Sequence, residues 1–386
     1  MPGSLPLVAF IQEHLQRNGP TPFPWFMEQA LYHPAYGYYS STRTRIGREG
    51  DYYTNVSVGH LYGQLLASQL IEMWKVLGSP ARFTIVEQGA EDGLLASDIL
   101  SAIAEESIEA AACIRYVIVE PIPRKRLQQR ARLEPAFPEK VSWLNELTEL
   151  EPITGAFISN ELLDAMPVHI VVYQDNVWSE LFVDFSGKDF FFVPVKIESP
   201  DLVLALHKLP VPGAAPYRTE VSLEAGRWIQ SVSTRLERGF VLVIDYGFPR
   251  HEYYKPERTE GTLSCYSHHR RSYNPLERPG GIDITAHVDF TALAEAAANA
   301  SCAVAGYTDQ HHFMVGAAES RLLAFEKEVQ AGDVTPARAA FLGPYRSLMH
   351  PGTMGMAFKF LLLTKGLDRD PKLTGFKYAT DPWRSL

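Results

Sequence analysis

Glu87, Gly89, Gly93, Glu120 and the segment Asn160–Asp164 carry the chemistry that this chain can do. The apolar run Phe83-Thr-Ile-Val-Glu87 ends in a carboxylate and passes into Gln-Gly89-Ala90-Glu91-Asp-Gly93. Leu-Leu-Ala-Ser-Asp-Ile-Leu100 follows, with Leu95 and Ile99 at helical spacing. A strand that turns straight into a helix leaves unpaired backbone N–H groups at the helix start, which suit the polar end of a ligand. A second apolar run, Arg115–Glu120, also ends in an acid. A carboxylate at a strand tip can accept two hydrogen bonds from a ribose diol. Further on, a strand-like run leads into Asn160-Glu161-Leu-Leu-Asp164. Open α/β sheets hold ligands at the carboxyl end of a central strand, and one helical turn would place Glu161 and Asp164 on the same side. With Asn160 they could hold a polar accepting group. The plainer alternative is a helix capped by Asn160 with Asp164 solvated.

These residues need a scaffold, and the chain supplies a rhythm for one. Strand-like runs recur at Phe83–Glu87, Arg115–Glu120, Val141–Leu144, Gly155–Ser159, Phe240–Asp245, Ala303–Tyr307 and Ala357–Thr364. Helical segments separate the first four, as in a parallel sheet covered on both faces. Residues 1–80 read as mainly helical. Leu7, Val8, Ile11 and Leu15 share one helical face, and so do Tyr62, Leu66, Leu70, Met73 and Leu77, while Tyr32–Tyr39 forms an ordered aromatic loop. Two stretches interrupt the rhythm: Val168–Ile197 alternates like an antiparallel meander, and Phe248–Asp283 reads as a long loop. Asp245 either borders a substrate pocket or caps the turn before Phe248-Pro249. Asp283–Phe290 is expected to open a helix capped by Thr285 or Asp283, with His287 structural.

Composition narrows the class. The 386 residues are 46% hydrophobic and 21% charged, which is ordinary for a globular protein with a substantial core. The net charge of −9, with only short basic clusters, argues against a nucleic-acid partner. Cys113, Cys265 and Cys302 show no C-x-x-C spacing, which speaks against disulfides and zinc and for a reducing compartment. His268-His269 and His311-His312 lack a third ligand, so no metal is assigned. No run reaches the about 18 apolar residues of a membrane span. The N-terminus is neither a signal peptide nor an Arg-rich leader. A soluble, cytoplasmic protein is expected, mitochondrial if the source is a eukaryote.

The glycine spacing argues against a dinucleotide turn, which wants Gly-x-Gly-x-x-Gly and an acid about twenty residues later. Acid-x-Gly-x-x-x-Gly instead resembles motif I of class I S-adenosylmethionine-dependent methyltransferases. Further segments sharpen the resemblance: Leu31-Tyr-His-Pro-x-Tyr-Gly-Tyr-Tyr39, Gly50-Asp-Tyr-Tyr-Thr54 and Asn160-Glu-Leu-Leu-Asp-Ala-Met-Pro-Val168. To these are added Ile244-Asp-Tyr-Gly247, Asp283-Ile-Thr-Ala-His-Val-Asp-Phe290 and Met354-Gly-x-x-Phe-Lys359. From about residue 20 to about 366 the chain resembles the MidA-like methyltransferases, a family that includes the mitochondrial arginine methyltransferase assisting respiratory complex I assembly.

The resemblance implies an α/β class I methyltransferase (Rossmann-like) fold with a seven-stranded sheet, the last strand antiparallel. A helical N-terminal region (1–80) would pack on a domain over 81–386, with insertions at about 168–235 and 248–283. It implies S-adenosylmethionine over Gly89, Ala90 and Gly93, following Glu87, with ribose near Glu120 and adenine near Trp143 and Leu144. Thr54 would help to close the site. It also implies an arginine-bearing protein substrate, with a respiratory-complex subunit as one candidate. Glu161 and Asp164 would clamp the guanidinium, and Asn160 would orient target or cofactor. A homodimer through the meander edge is conceivable, and nothing requires it. The family loop usually carries a glycine midway, where this chain has Glu91. A side chain there restricts φ and crowds the backbone's approach to a ligand. That departure supports a rival reading, an assembly chaperone that keeps the fold without activity. A small-molecule methyltransferase is a third.

Overall fold

A computed structural model describes residues 4–41, 55–213, 216–267, 270–331, 336–350 and 354–386. The chain forms two compact units, each assembled from three stretches. One takes residues 1–53, 163–228 and 248–293, and the other takes 54–162, 229–247 and 294–386. The division thus falls at 53/54 rather than near residue 80. The first helices group with the two stretches that break the strand–helix rhythm.

The unit that begins at residue 54 holds the sheet. Among the described residues this sheet has eight strands rather than the expected seven. The seven on its main path are β1 (Phe83–Gln88), β2 (Ile114–Val119), β3 (Val141–Leu144), β4 (Ile153–Asn160), β5 (Leu236–Phe248), β6 (Ala303–Asp309) and β7 (Phe358–Lys365). They lie in the order β3-β2-β1-β4-β5-β7-β6. Strands β1 to β5 are mutually parallel, whereas β7 runs antiparallel to both β5 and β6. The carboxyl ends of β1 to β5 therefore share one edge, the edge at which such sheets bind ligands.

The sheet residues are apolar on both faces because helices cover both. Ile85, Ile118, Ile158, Leu242 and Phe360 pack with Leu66, Leu70 and Met73 of α1 (Leu61–Val76) and with Leu95 and Ile99 of α2 (Leu94–Glu106). Val86, Phe157, Val241 and Leu361, on the opposite face, are equally buried. Helix α3 (Pro123–Leu133) joins β2 to β3. Among the described residues no helix is long and apolar enough to cross a membrane.

The other unit is built around the helices Leu5–Asn18 and Phe23–Tyr32 and an antiparallel sheet. Strands His169–Gln174, Val177–Phe185 and Phe190–Lys196 follow one another antiparallel, and Tyr217–Val221 pairs with the first of them. The first hairpin turns through Asp175 (φ 52°) and Asn176 (φ 64°), the left-handed pair that a two-residue hairpin demands.

Two expectations fail in this unit. Residues 248–283 are not a loop: they contain the helix Arg250–Tyr253 and strands Ser264–Ser267 and Arg270–Ser272, which assemble with Asp283–Thr285. The organising group is Glu220, 1% exposed. Its carboxylate accepts the Thr262 and Leu263 N–H groups at 2.8 and 3.3 Å, and the Tyr253 hydroxyl at 3.3 Å. These partners are remote in sequence, so no local periodicity announces them. Nor does a helix start at Asp283 or Thr285. Asp283 accepts the Tyr39 hydroxyl at 2.8 Å, and the helix begins at Phe290, where Asp289 Oδ1 accepts the Ala292 N–H at 3.0 Å.

Candidate active site

The turn after β1 is held open by backbone geometry. Gly89 and Gly93 both lie at φ 80°, and the Gly93 N–H closes the turn on the Ala90 carbonyl at 2.7 Å. A Cβ on Gly89 would stand 3.1 Å from Leu162 Cδ1, and one on Gly93 would stand 3.1 Å from Leu133 Cδ1. Glu91, between them, takes the left-handed conformation at φ 46° without being glycine. Its side chain forms an ion pair with Lys125 on α3.

Glu87 is 2% exposed and accepts the Tyr116 hydroxyl at 2.8 Å. Burial, against that hydrogen bond, raises its carboxyl to about 7. Glu120, 3% exposed, lies at the end of β2. Its Oε1 accepts the Ile122 N–H at 2.9 Å and its Oε2 the Gln129 amide at 3.2 Å. Burial raises its pKa, while the Lys125 ammonium pulls it down. Each oxygen keeps a further lone pair. On β3, Trp143 donates its indole N–H to Gln129 at 3.1 Å under the guanidinium of Arg130, and Leu144 accepts the Glu120 N–H at 3.0 Å.

Beyond β4 the expected helix is absent. Residues 161–166 are bends and turns, so Asn160 caps nothing and Glu161 and Asp164 do not share a helical face. Glu161 sits at φ 53°, and its N–H bonds the Ile244 carbonyl at 3.0 Å. Asp245 stabilises this turn by accepting the Leu162 N–H at 3.2 Å and the Tyr246 N–H at 2.8 Å. The Tyr62 hydroxyl donates to Asn160 Oδ1 at 2.6 Å, and Asn160 Nδ2 donates to Glu161 Oε1 at 3.3 Å. Burial keeps Tyr62 protonated far above neutral pH, so it stays a donor.

The structure therefore brings together Glu87, Gly89, Ala90, Gly93, Glu120, Trp143, Leu144, Asn160 and Glu161 in one unit, at one sheet edge. Asp164 belongs to the other unit, and Thr54 lies outside the described residues. Sequence reasoning missed Gln129, Lys125 and Asn55. Gln129 sits on a strongly polar helix, where its burial leaves no sequence signal. Tyr62 counted only as part of an apolar face, which hid its hydroxyl.

The donor set suits a nucleoside bearing an amino-acid tail. Gly89 and Gly93 let backbone approach closely, and the buried Glu120 can take a diol. Asn55 Oδ1 and Ser159 Oγ are buried and, among the described residues, have no hydrogen-bond partner. His311 and His312 lie on the helix Gln310–Gln330, bonded to the Met349 carbonyl and to Asp309. Among the described residues no cluster suits a metal ion.

Comparison with known proteins agrees with this geometry. Residues 65–308 match the sequence profile of a family of S-adenosyl-L-methionine-dependent methyltransferases. The chain is 30% identical, over 94% of its length and 85% of the relative's, to the mitochondrial protein arginine methyltransferase NDUFAF7 homolog of Drosophila melanogaster. Human NDUFAF7 is 26% identical over 93% of this chain and 83% of its own. A COG1565 superfamily member from Burkholderia thailandensis, crystallised with S-adenosyl-homocysteine, superimposes with a TM-score of 0.86 at 31% identity. That match covers 98% of this chain and 96% of the other. The profile over residues 65–308 and the relatives at 30% and 31% identity together show that the chain belongs to this family of S-adenosylmethionine-dependent methyltransferases.

Proposed function

We propose that this methyltransferase acts on an arginine side chain of a protein partner. The observation that carries the reading is the turn at 160–162. Asn160 ends β4, Glu161 follows it, and Leu162 lies against Gly89 of the glycine turn, which supports reading 160–161 as the acceptor side of the site. The arginine methyltransferase names of the relatives support the same substrate class.

Bound S-adenosylmethionine supplies an electrophilic methyl on sulfonium sulfur. In our reading the backbone of Gly89, Ala90 and Gly93 lies under its amino-acid portion, with Glu87 at the root of the turn. Glu120 takes the ribose diol, and Trp143 and Leu144 line the adenine. Guanidinium stays protonated, with a pKa above about 12, and its nitrogens are weak nucleophiles. A carboxylate fork draws positive charge to one side and leaves the opposite nitrogen richer in electrons. Glu161 is the carboxylate we assign to this fork, its two oxygens facing one guanidinium edge, with Asn160 orienting it. Alignment of nitrogen and methyl provides the remaining acceleration. The partner class we infer from the family resemblance is a respiratory-complex subunit. A cytoplasmic location, or a mitochondrial one in a eukaryote, belongs to the same proposal.

The test is transfer of isotope-labelled methyl from S-adenosylmethionine to purified respiratory-complex subunits, with mass-spectrometric location of the label. Methylarginine formed by the wild type, reduced about 100-fold by Glu161→Gln, supports the assignment. Label on lysine or on a small molecule, or full turnover by Glu161→Gln, contradicts it.

A further inference from the structure

Helix α3 is polar along most of its length, yet Gln129 on it is completely buried. Its Nε2 donates to the Glu91 carbonyl at 2.9 Å and to Glu120 Oε2 at 3.2 Å, and its Oε1 accepts the Trp143 indole N–H at 3.1 Å. One side chain thus ties the glycine turn after β1 to the acid after β2 and to the ring on β3. Both donor hydrogens and the acceptor are engaged, which fixes the amide's orientation. Neighbours on the same helix reach the same three places. Lys125 pairs with Glu91, Arg126 donates to the Glu120 carbonyl at 2.6 Å, and Arg130 lies 4.6 Å from the Trp143 ring centre. A buried carboxamide is costly unless every partner is present, and an apolar residue would fill the space without that cost.

We propose that Gln129 is the positioning residue for the nucleoside half of the cofactor, holding the Glu120 carboxylate toward the ribose diol and the Trp143 ring beside the adenine. This rests on the cofactor reading above. Gln129 touches no reacting atom and acts through Glu120 and Trp143. The charged groups facing Glu120 are Lys125 and Arg126 from α3 and Glu91 from the turn. Burial already raises the Glu120 pKa, and the Gln129 donor is one of the groups that lower it. Without that donor, Glu120 protonates at a higher pH and becomes a poorer acceptor for a diol.

The test is calorimetric titration of S-adenosylhomocysteine from pH 5 to pH 8, with thermal melts to verify folding. Gln129→Met keeps the volume and loses all three hydrogen bonds. It should bind about tenfold more weakly at pH 8, and its affinity should begin to fall at a higher pH than that of the wild type. Gln129→Glu keeps an acceptor for Trp143 and sets a carboxylate against Glu120, so its loss should be larger and its profile shifted further. On a Glu120→Gln background the pH-dependent part of the Gln129→Met effect should vanish. Glu87 titrates in every variant alike, so the difference between profiles isolates Glu120. A folded Gln129→Met that binds like the wild type overturns the proposal, and so does a loss by the same factor at every pH, which a merely structural role would give. If Gln129→Met does not fold, Gln129→Glu decides by the same criteria. If the wild type itself binds no S-adenosylhomocysteine, the cofactor reading falls first and takes this inference with it.

Discussion

Glu91 is the residue at which this chain leaves the expected glycine pattern, and its neighbours explain how the turn accommodates it. The backbone takes the left-handed conformation that glycine would adopt, at a cost of about 1–2 kcal/mol for a side-chain-bearing residue. The carboxylate is drawn to Lys125. Glu91→Gly should therefore leave the S-adenosylhomocysteine dissociation constant essentially unchanged in calorimetry. A large tightening would mean that the side chain obstructs the cofactor. Tyr62 makes the complementary case. Its hydroxyl is the donor that holds Asn160 Oδ1, so Tyr62→Phe leaves a part-buried acceptor without it. Chemical denaturation should show a loss of about 1–3 kcal/mol. Methyl transfer should fall while cofactor affinity holds, and an unaltered turnover rate would remove Tyr62 from the account of Asn160.

Between β1 and β2, the Glu87–Tyr116 pair places a titratable group inside the sheet. Burial raises the folded-state pKa of Glu87 to about 7, above the ordinary carboxyl value of 4.5. Its contribution to stability is therefore complete below about 4.5 and is lost as the pH rises through about 7. Thermal melts of the wild type compared with Glu87→Gln should show the wild type losing relative stability between pH 5 and pH 8, and a flat difference would contradict the shift. The strands themselves were legible because β1, β2, β4 and β7 are short, apolar and buried on both faces, so propensity and tertiary burial agree. The segment after β4 was not. Its spacing of carboxylates fits a helix, but the backbone instead bonds β5 and Asp245, at Ile244 O and Asp245 Oδ2. Residues 248–283 were illegible for the same reason, since Glu220 organises them from a strand far away in sequence.

At the scale of the whole molecule the chain crosses between its two units repeatedly, at 53/54, 162/163, 228/229, 247/248 and 293/294. No linker composition marks those crossings, because the units are defined by contacts between remote stretches. The glycine turn, Glu120 and Asn160 were nonetheless legible as strand ends of one parallel sheet, whereas Trp143 entered only through the family resemblance. Gln129 was not legible, since its role exists only once three strand ends are brought together. Ligand binding to the folded state alone should stabilise the protein by about 2.7 kcal/mol at a hundredfold excess over the dissociation constant. A rising melting temperature with added S-adenosylhomocysteine would report it, and a melting temperature indifferent to the ligand would oppose it. The most direct test of the central claim is calorimetry of the wild type and Gly89→Arg with S-adenosylmethionine and S-adenosylhomocysteine. An arginine at φ 80° is strained, presses on Leu162 and sets a long side chain in the turn where the cofactor would lie. Micromolar binding by the wild type, abolished in a folded Gly89→Arg, is the predicted result. A folded wild type that binds neither ligand, or a Gly89→Arg variant that binds both equally well, would contradict it.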